Sequence, residues 1–264
     1  MEPKQKKKKK ASSIILDIIL VIAIGVFLYA AYNLYQIYAE YKAGTDEYDD
    51  LRQYTSEATP TPTPDDATAT EEKPKVAPPI DVDFAELQKV NPDIVGWIYV
   101  EAIPEISYPI AKGTDNDYYL HHTIEGVKNT SASIFMDYNN KADFSDTNTI
   151  VYGHNMRNQS MFGRLKQMRD QSVYDQSPYF WILTPNANYR YKIYSATGVP
   201  YDDEVYTLFS AGGPEFKEYL EKMKSKSDVT NDAAFTGNEK VVTLSTCTSD
   251  DKVRCVVQGV QEEM

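Results

Sequence analysis

Residues 241–257 read VVTLSTCTSDDKVRCVV: two apolar runs rich in β-branched residues flank a short loop of Ser, Thr, Asp and Lys. This spacing predicts two antiparallel strands joined by a polar turn, with Cys247 and Arg254 on neighbouring strand ends. A thiol and a guanidinium then face one site. The apolar residues before Cys247 fix it on a rigid element, and a fixed cation lowers the cost of negative charge on a thiolate or an oxyanion. Such chemistry also needs a base.

Residues 147–155, TNTIVYGHN, supply one: a second β-type run stops at Gly153 and presents His154 at its end. A Cys, a His and an Arg at strand termini, distant in sequence, form the constellation that thiol-based acyl transfer requires. Two other histidines compete for the role. His121 and His122 follow Tyr119-Leu120 near a predicted helix C-terminus, where the helix dipole stabilises an imidazolium without any function. They read as surface residues. The second cysteine, Cys255, adjoins Arg254 and so points to the opposite face of its strand, as a small buried thiol. The competing reading is a Cys247–Cys255 disulfide across adjacent strands, which would consume the nucleophile. One plausible His and one loop Cys do not make a zinc site, and no metal or other cofactor is implied.

Outward from these two stretches, short strand-like runs recur at residues 94–100, 106–111, 133–137, 149–152, 179–184, 189–197, 240–247 and 253–260. Eight strands separated by polar turns favour a closed β-barrel, because closure removes exposed edges. Helical stretches at 116–121, 160–169 and 214–224 interrupt them. Ahead of the strands, Asp83 followed by Glu86 makes a capping-box pattern for a helix that Asn91-Pro92 ends. The fold class is therefore mainly β with added helices.

With TLSTC followed closely by Arg254, and YGHN upstream, the chain resembles the sortases, cysteine transpeptidases of Gram-positive bacteria. DNDYYL (115–120), SIFMD (133–137), IVYGHNM (150–156) and SMFGRL (160–165) are similar to class B members, and the resemblance spans residues 80–264. Singly, each could be ordinary packing; their order and spacing around His154 and Cys247 carry the likeness. The resemblance implies an eight-stranded sortase-type barrel with N-terminal helices and a helix-bearing insertion, which residues 198–235 fit. It implies His154, Cys247 and Arg254 as the catalytic set, with Asn116, Leu120, Ser245 and Tyr206 lining the groove for the substrate. The implied substrates are secreted proteins with a C-terminal sorting signal of the Asn-Pro-x-Thr-Asn or Ser/Asn-Pro-x-Thr-Gly kind. The implied amine donor is a lipid-linked peptidoglycan precursor. Two features depart from the class B pattern: the loop between Cys247 and Arg254 is short, and Thr248 stands where some members carry an acidic residue. A pilin-polymerising sortase, and a non-catalytic tethered binding domain on the same barrel, are the alternatives.

The chain of 264 residues has room for one ordinary domain plus appendages, and a net charge of −12 argues against nucleic acid as a partner. Residues 1–10 run against that balance, as a lysine-rich tip. From Ile14 to Ala31 the sequence is almost wholly apolar, with Asp17 its only charge, and Tyr29, Tyr32, Tyr35 and Tyr38 follow. Roughly 20 apolar residues cross a bilayer as a helix, so residues 11–34 read as a single-pass anchor. Lysines before it and tyrosines after it put the N-terminus in the cytoplasm and the body outside. A cleaved signal peptide is the rival reading, but the run is long for one and no A-x-A site follows. Residues 35–57 read as a juxtamembrane helix, and 58–79, TP-rich and poor in apolar residues, as a semi-stiff linker or a glycosylated stalk before a catalytic domain over 80–264.

Overall fold

A computed structural model describes residues 11–58, 76–247 and 252–262, with backbone alone at residues 11–13 and at Cys247. The lysine-rich tip, residues 59–75 of the TP-rich tract and residues 248–251, Thr248 among them, lie outside the described residues. The chain divides into two units, Met1–Ala43 and Gly44–Met264.

In the first unit, helix α1 (Ala11–Leu51) carries the apolar run, and its large side chains from Ile14 to Tyr38 are exposed. It is the one helix among the described residues that is long and apolar enough to cross a membrane. Residues 44–51 of the same helix belong to the second unit. There Tyr48 and Leu51 are buried, and the Tyr48 hydroxyl donates to the Ala132 carbonyl at 2.5 Å.

The second unit continues through a 3-10 turn (Arg52–Tyr54), β1 (Thr55–Glu57), β2 (Ile80–Val82) and α2 (Phe84–Val90). The Asp83 side chain accepts from the Glu86 N–H at 3.1 Å, so the predicted cap forms. Strands β1 and β2 pair antiparallel, Ala58 N–H reaches Pro79 O at 3.1 Å, and Asp83 N–H reaches Tyr54 O at 2.9 Å. These contacts change the expected boundaries. The two ends of the TP-rich tract lie side by side on the body, so the tract leaves and rejoins one unit where a linker would join two. The body begins at Gly44 and not at residue 80, because Tyr48 and Leu51 bury apolar surface that their composition-poor surroundings did not advertise.

The rest is a closed barrel: β3 (Ile94–Val100), β4 (Ile103–Ala111), α3 (Tyr118–His121), β5 (Ile134–Met136), β6 (Asn148–Gly153), a 3-10 turn (Leu165–Arg169), α4 (Gln171–Tyr174), β7 (Tyr179–Leu183), β8 (Asn188–Pro200), a 3-10 turn (Glu204–Tyr206), α5 (Pro214–Ser225), β9 (Val241–Cys247) and β10 (Val253–Gln261). The eight strands close in the order β10-β8-β7-β3-β4-β5-β6-β9, with β4/β5 and β6/β9 parallel and the other neighbours antiparallel. Closure satisfies every edge, as the strand count predicts. At Gly259, beside a register shift in β10, an added Cβ would come within 2.4 Å of the Phe180 ring, so only glycine lets the long β8–β10 pair coil there.

One predicted helix is replaced. Over 160–169 only Leu165–Arg169 is helical, and as a 3-10 turn, because Met161 is buried with φ 53° and its N–H donates to the Tyr108 hydroxyl at 3.0 Å. Tertiary contacts outweigh the helical spacing of Met, Phe and Leu. The segment after β8 packs α5 onto the barrel through Phe216, Tyr219, Leu220 and Met223 against Tyr194, Val241 and Val256.

Candidate active site

Three neighbouring strands, β6, β9 and β10, bring the predicted residues together. Parallel pairing sets Tyr152 opposite Ser245 and Gly153 opposite Thr246, so His154 follows at the level of Cys247. On the other side of β9, Cys247 is the direct antiparallel partner of Arg254. His154, Cys247 and Arg254 thus stand abreast at one end of the barrel.

The position of His154 is over-determined. Its carbonyl accepts from the Phe162 N–H at 3.0 Å, and Asn155 bridges to Met161. A Cβ on Gly153 would meet Ile134 Cδ1 at 2.4 Å and the Phe162 ring at 2.7 Å, so the glycine of YGHN is there for close approach. The half-buried imidazole places Nε2 2.9 Å from the Leu120 carbonyl oxygen. A carbonyl only accepts, so Nε2 carries the proton and Nδ1 holds the lone pair in the neutral ring. Burial, foremost, pulls the His154 imidazole below its ordinary pKa; the positive charges of His121 and Arg254 act in the same direction, and the Leu120 carbonyl partly opposes them.

Beside these residues lies a cleft of about 230 Å³ lined by Asn116, Leu120, Tyr152, Tyr206, Ser245 and Arg254, with Phe135, Gly153 and Tyr201 completing it. All four residues expected in the groove are on its wall. Two sides differ in construction. On one, Asp137, buried, accepts at Oδ2 from Asn116 Nδ2 at 2.8 Å and from the Tyr152 hydroxyl at 3.0 Å, while Tyr138 N–H donates to Asn116 Oδ1 at 3.0 Å. Burial and the Asp137 carboxylate raise the Tyr152 phenol well above its ordinary pKa, which keeps it a hydrogen-bond donor. On the other side, the Tyr206 and Ser245 hydroxyls are 2.9 Å apart, and the Tyr206 ring stands 6.4 Å from that of Tyr152.

Neither of the other histidines nor the second cysteine lines the cleft. His121 is exposed, 3.6 Å from Asp117, and the His122 ring stacks on Tyr118 at 4.3 Å with Nδ1 on the Tyr118 carbonyl. Cys255 is buried and free, paired in register with Thr246, and burial pushes its thiol up to about 11. Asp137 and Tyr152, which were not expected in the groove, lie inside SIFMD and IVYGHNM. A buried acid closing SIFMD and a tyrosine closing an apolar strand one residue from the glycine were the available signals.

Residues 98–262 match the sortase domain family. The chain is 33% identical to sortase B of Listeria monocytogenes over 242 residues, covering 90% of this chain and 93% of that protein. Among solved structures it is similar to sortase B from B. anthracis in complex with AAEK1, with a TM-score of 0.70 and 29% identity over 86% of this chain and 100% of that one. It is also similar to a Staphylococcus aureus sortase B–substrate complex, with a TM-score of 0.64 and 29% identity over 69% of this chain and 85% of that one. Barrel order, strand-end constellation and these likenesses agree, and the chain belongs to the sortase family of cysteine transpeptidases, in its class B.

Proposed function

We propose that the chain is a membrane-anchored transpeptidase that cuts a C-terminal sorting signal, of the Asn-Pro-x-Thr-Asn or Ser/Asn-Pro-x-Thr-Gly kind, in secreted proteins. It then joins the acyl group to an amine of a lipid-linked peptidoglycan precursor. The observation that carries this reading is the register that sets His154, Cys247 and Arg254 abreast beside a cleft lined by Asn116, Leu120, Ser245 and Tyr206. The length and apolar composition of α1 support the anchor, and the lysines ahead of it support a cytoplasmic N-terminus with the body on the outer face.

In the first half-reaction the Cys247 proton passes to His154 Nδ1, and the thiolate attacks the scissile carbonyl carbon. A C–S bond forms, and the carbonyl π pair moves onto oxygen, where the Arg254 guanidinium stabilises it. Collapse of the oxyanion breaks the C–N bond, and the imidazolium gives its proton to the leaving amine. In the second half the acceptor amine attacks the thioester and gives its proton to His154, and the C–S bond breaks to release thiolate. Burial works against the charged form of His154, in line with the resemblance to sortases, which implies that the thiolate–imidazolium pair is a minor form. Leu120 serves twice, its carbonyl orienting the base and its side chain lining the cleft.

The test uses the full-length chain in detergent with a sorting-signal peptide. Slow hydrolysis without amine, and a ligated product with oligoglycine or a diamino-acid stem peptide, is the expected result. Release of the acid at an unchanged rate with every amine offered would make the chain a hydrolase.

A further inference from the structure

The Tyr206 wall of the cleft belongs to the segment after β8, outside the barrel, and rests on a 3-10 turn of three residues. So short a turn cannot hold itself. Its local support is the Asp203 side chain accepting from Val205 N–H at 2.9 Å and Thr207 N–H reaching Glu204 O at 2.9 Å. Ion pairs from Lys222 and Lys226 to Glu204 at 2.7 and 3.0 Å lie toward solvent, where such pairs contribute little, and a partly buried pair joins Lys226 to Asp203 at 3.0 Å.

Beneath the turn is a buried polar network of different character. The Tyr219 hydroxyl donates to Val205 O at 2.8 Å, and Asn148 Nδ2 donates to Thr207 O at 3.0 Å and to Val205 O at 3.3 Å. Asn148 Oδ1 accepts from the Thr243 hydroxyl at 2.7 Å. Gln258 Nε2 in turn donates to the Thr243 and Tyr219 oxygens at 2.9 and 2.8 Å. Every hydrogen therefore runs one way, from the barrel to the two carbonyls that flank Tyr206. Asn148, Thr243 and Gln258 are 0–1% exposed, so no water competes for these groups.

The three strands that donate are the three that carry the reacting residues. Asn148 shares the parity of His154 on β6, Thr243 that of Cys247 on β9, and Gln258 that of Arg254 on β10. At ~3.3 Å per residue the network lies about 13 Å along β9 and β10 from the strand ends, so it touches no reacting atom. Resting on the assignment of this cleft to the acyl donor, we infer that Asn148, Thr243, Gln258 and Tyr219 are positioning residues. They register the Tyr206 wall against the catalytic strand ends and so set recognition of the sorting peptide, not the rate of bond making.

Tyr219→Phe and Thr243→Val each delete a hydroxyl while keeping most of the packing volume, and Thr243→Ser restores one. In the full-length chain in detergent, amide hydrogen exchange at Val205, Tyr206 and Thr207 reads the wall without any turnover. Faster exchange is expected in Tyr219→Phe and Thr243→Val, with Thr243→Ser near the parent. With the sorting peptide, the first two should raise KM about five- to tenfold and leave kcat within about twofold. Adding Tyr219→Phe to Tyr206→Ala should raise KM no further than Tyr206→Ala does alone. Unchanged exchange overturns the inference, as does changed exchange with KM unmoved or with kcat falling in its place. A parent that turns over no peptide, with the exchange pattern as expected, removes the functional assignment and leaves the registering network standing.

Discussion

The two walls of the cleft reach similar precision by opposite routes. The Asn116–Asp137–Tyr152 wall is built from barrel strands and the turn before α3, joined through one buried carboxylate within a stretch of about forty residues. The Tyr206 wall is an appended turn, held from below by side chains on β6, β9, β10 and α5 that are up to 110 positions apart in sequence. The first is held by a single buried carboxylate that directly follows β5 and ties Tyr152 on β6 to the Asn116 turn, whereas the second is held by a buried network that spans three strands and α5. Substitutions on the first wall should therefore cost both fold and binding, and those on the second chiefly binding.

The barrel wall ends at the proposed base, and the largest effect is expected there. His154→Ala should lower transfer by about 10²- to 10⁴-fold with the barrel intact, whereas His121→Ala and His122→Ala should stay within about twofold. Peptide transfer assays with circular dichroism read all three. Comparable losses at each would mean that the base has been misassigned.

Gly153→Ala tests how tightly that wall is set. The added methyl meets Ile134 and the Phe162 ring inside contact distance, so stability should fall by ~1–3 kcal/mol. Displacing His154 by even a fraction of an ångström should cost up to roughly 10²-fold in kcat, measured beside thermal unfolding. Retention of both would show that the strand end is softer than its packing implies.

Asp137→Asn brings an amide N–H₂ into a site where Asn116, Tyr152 and Asn139 all donate, so one donor loses its partner. A loss of ~1–3 kcal/mol in stability together with a roughly tenfold rise in KM is expected. Tyr206→Phe on the other wall should leave the melting temperature unmoved and raise KM less. Reversal of that order would break the contrast between the walls.

The smallest effect concerns pH. Because burial depresses the His154 pKa in the folded chain, the unfolded chain protonates first as pH falls below its ordinary value of about 6.5. Stability should accordingly be complete above that pH and decline below it, and His154→Gln should flatten the decline. An NMR titration midpoint for His154 at or above 6.5 would contradict the assignment.

These contrasts also explain what could be read from the sequence. The eight strands were legible because β-branched runs such as 94–100 and 241–247 signal themselves locally, and Cys247, His154 and Arg254 stand at their ends. The Asp83 cap was legible for the same reason. Met161 was not, since its φ is set by Tyr108, 53 positions away. The pairing of Thr55–Glu57 with Ile80–Val82 was invisible because three residues carry no measurable period, so the TP-rich tract read as a tether. Asn148, Thr243 and Gln258 left a faint trace, as polar residues inside apolar strands, but nothing local told which distant carbonyls they serve.

The central claim is that Cys247, flanked by His154 and Arg254, carries the acyl group. Its most direct test is to quench the full-length chain reacting with a sorting peptide and map the adduct by mass spectrometry, with and without amine. An acyl mass is expected on Cys247, none on buried Cys255 and none in Cys247→Ala, with faster decay when amine is present. An adduct on Cys255, or turnover persisting in Cys247→Ala, would contradict it.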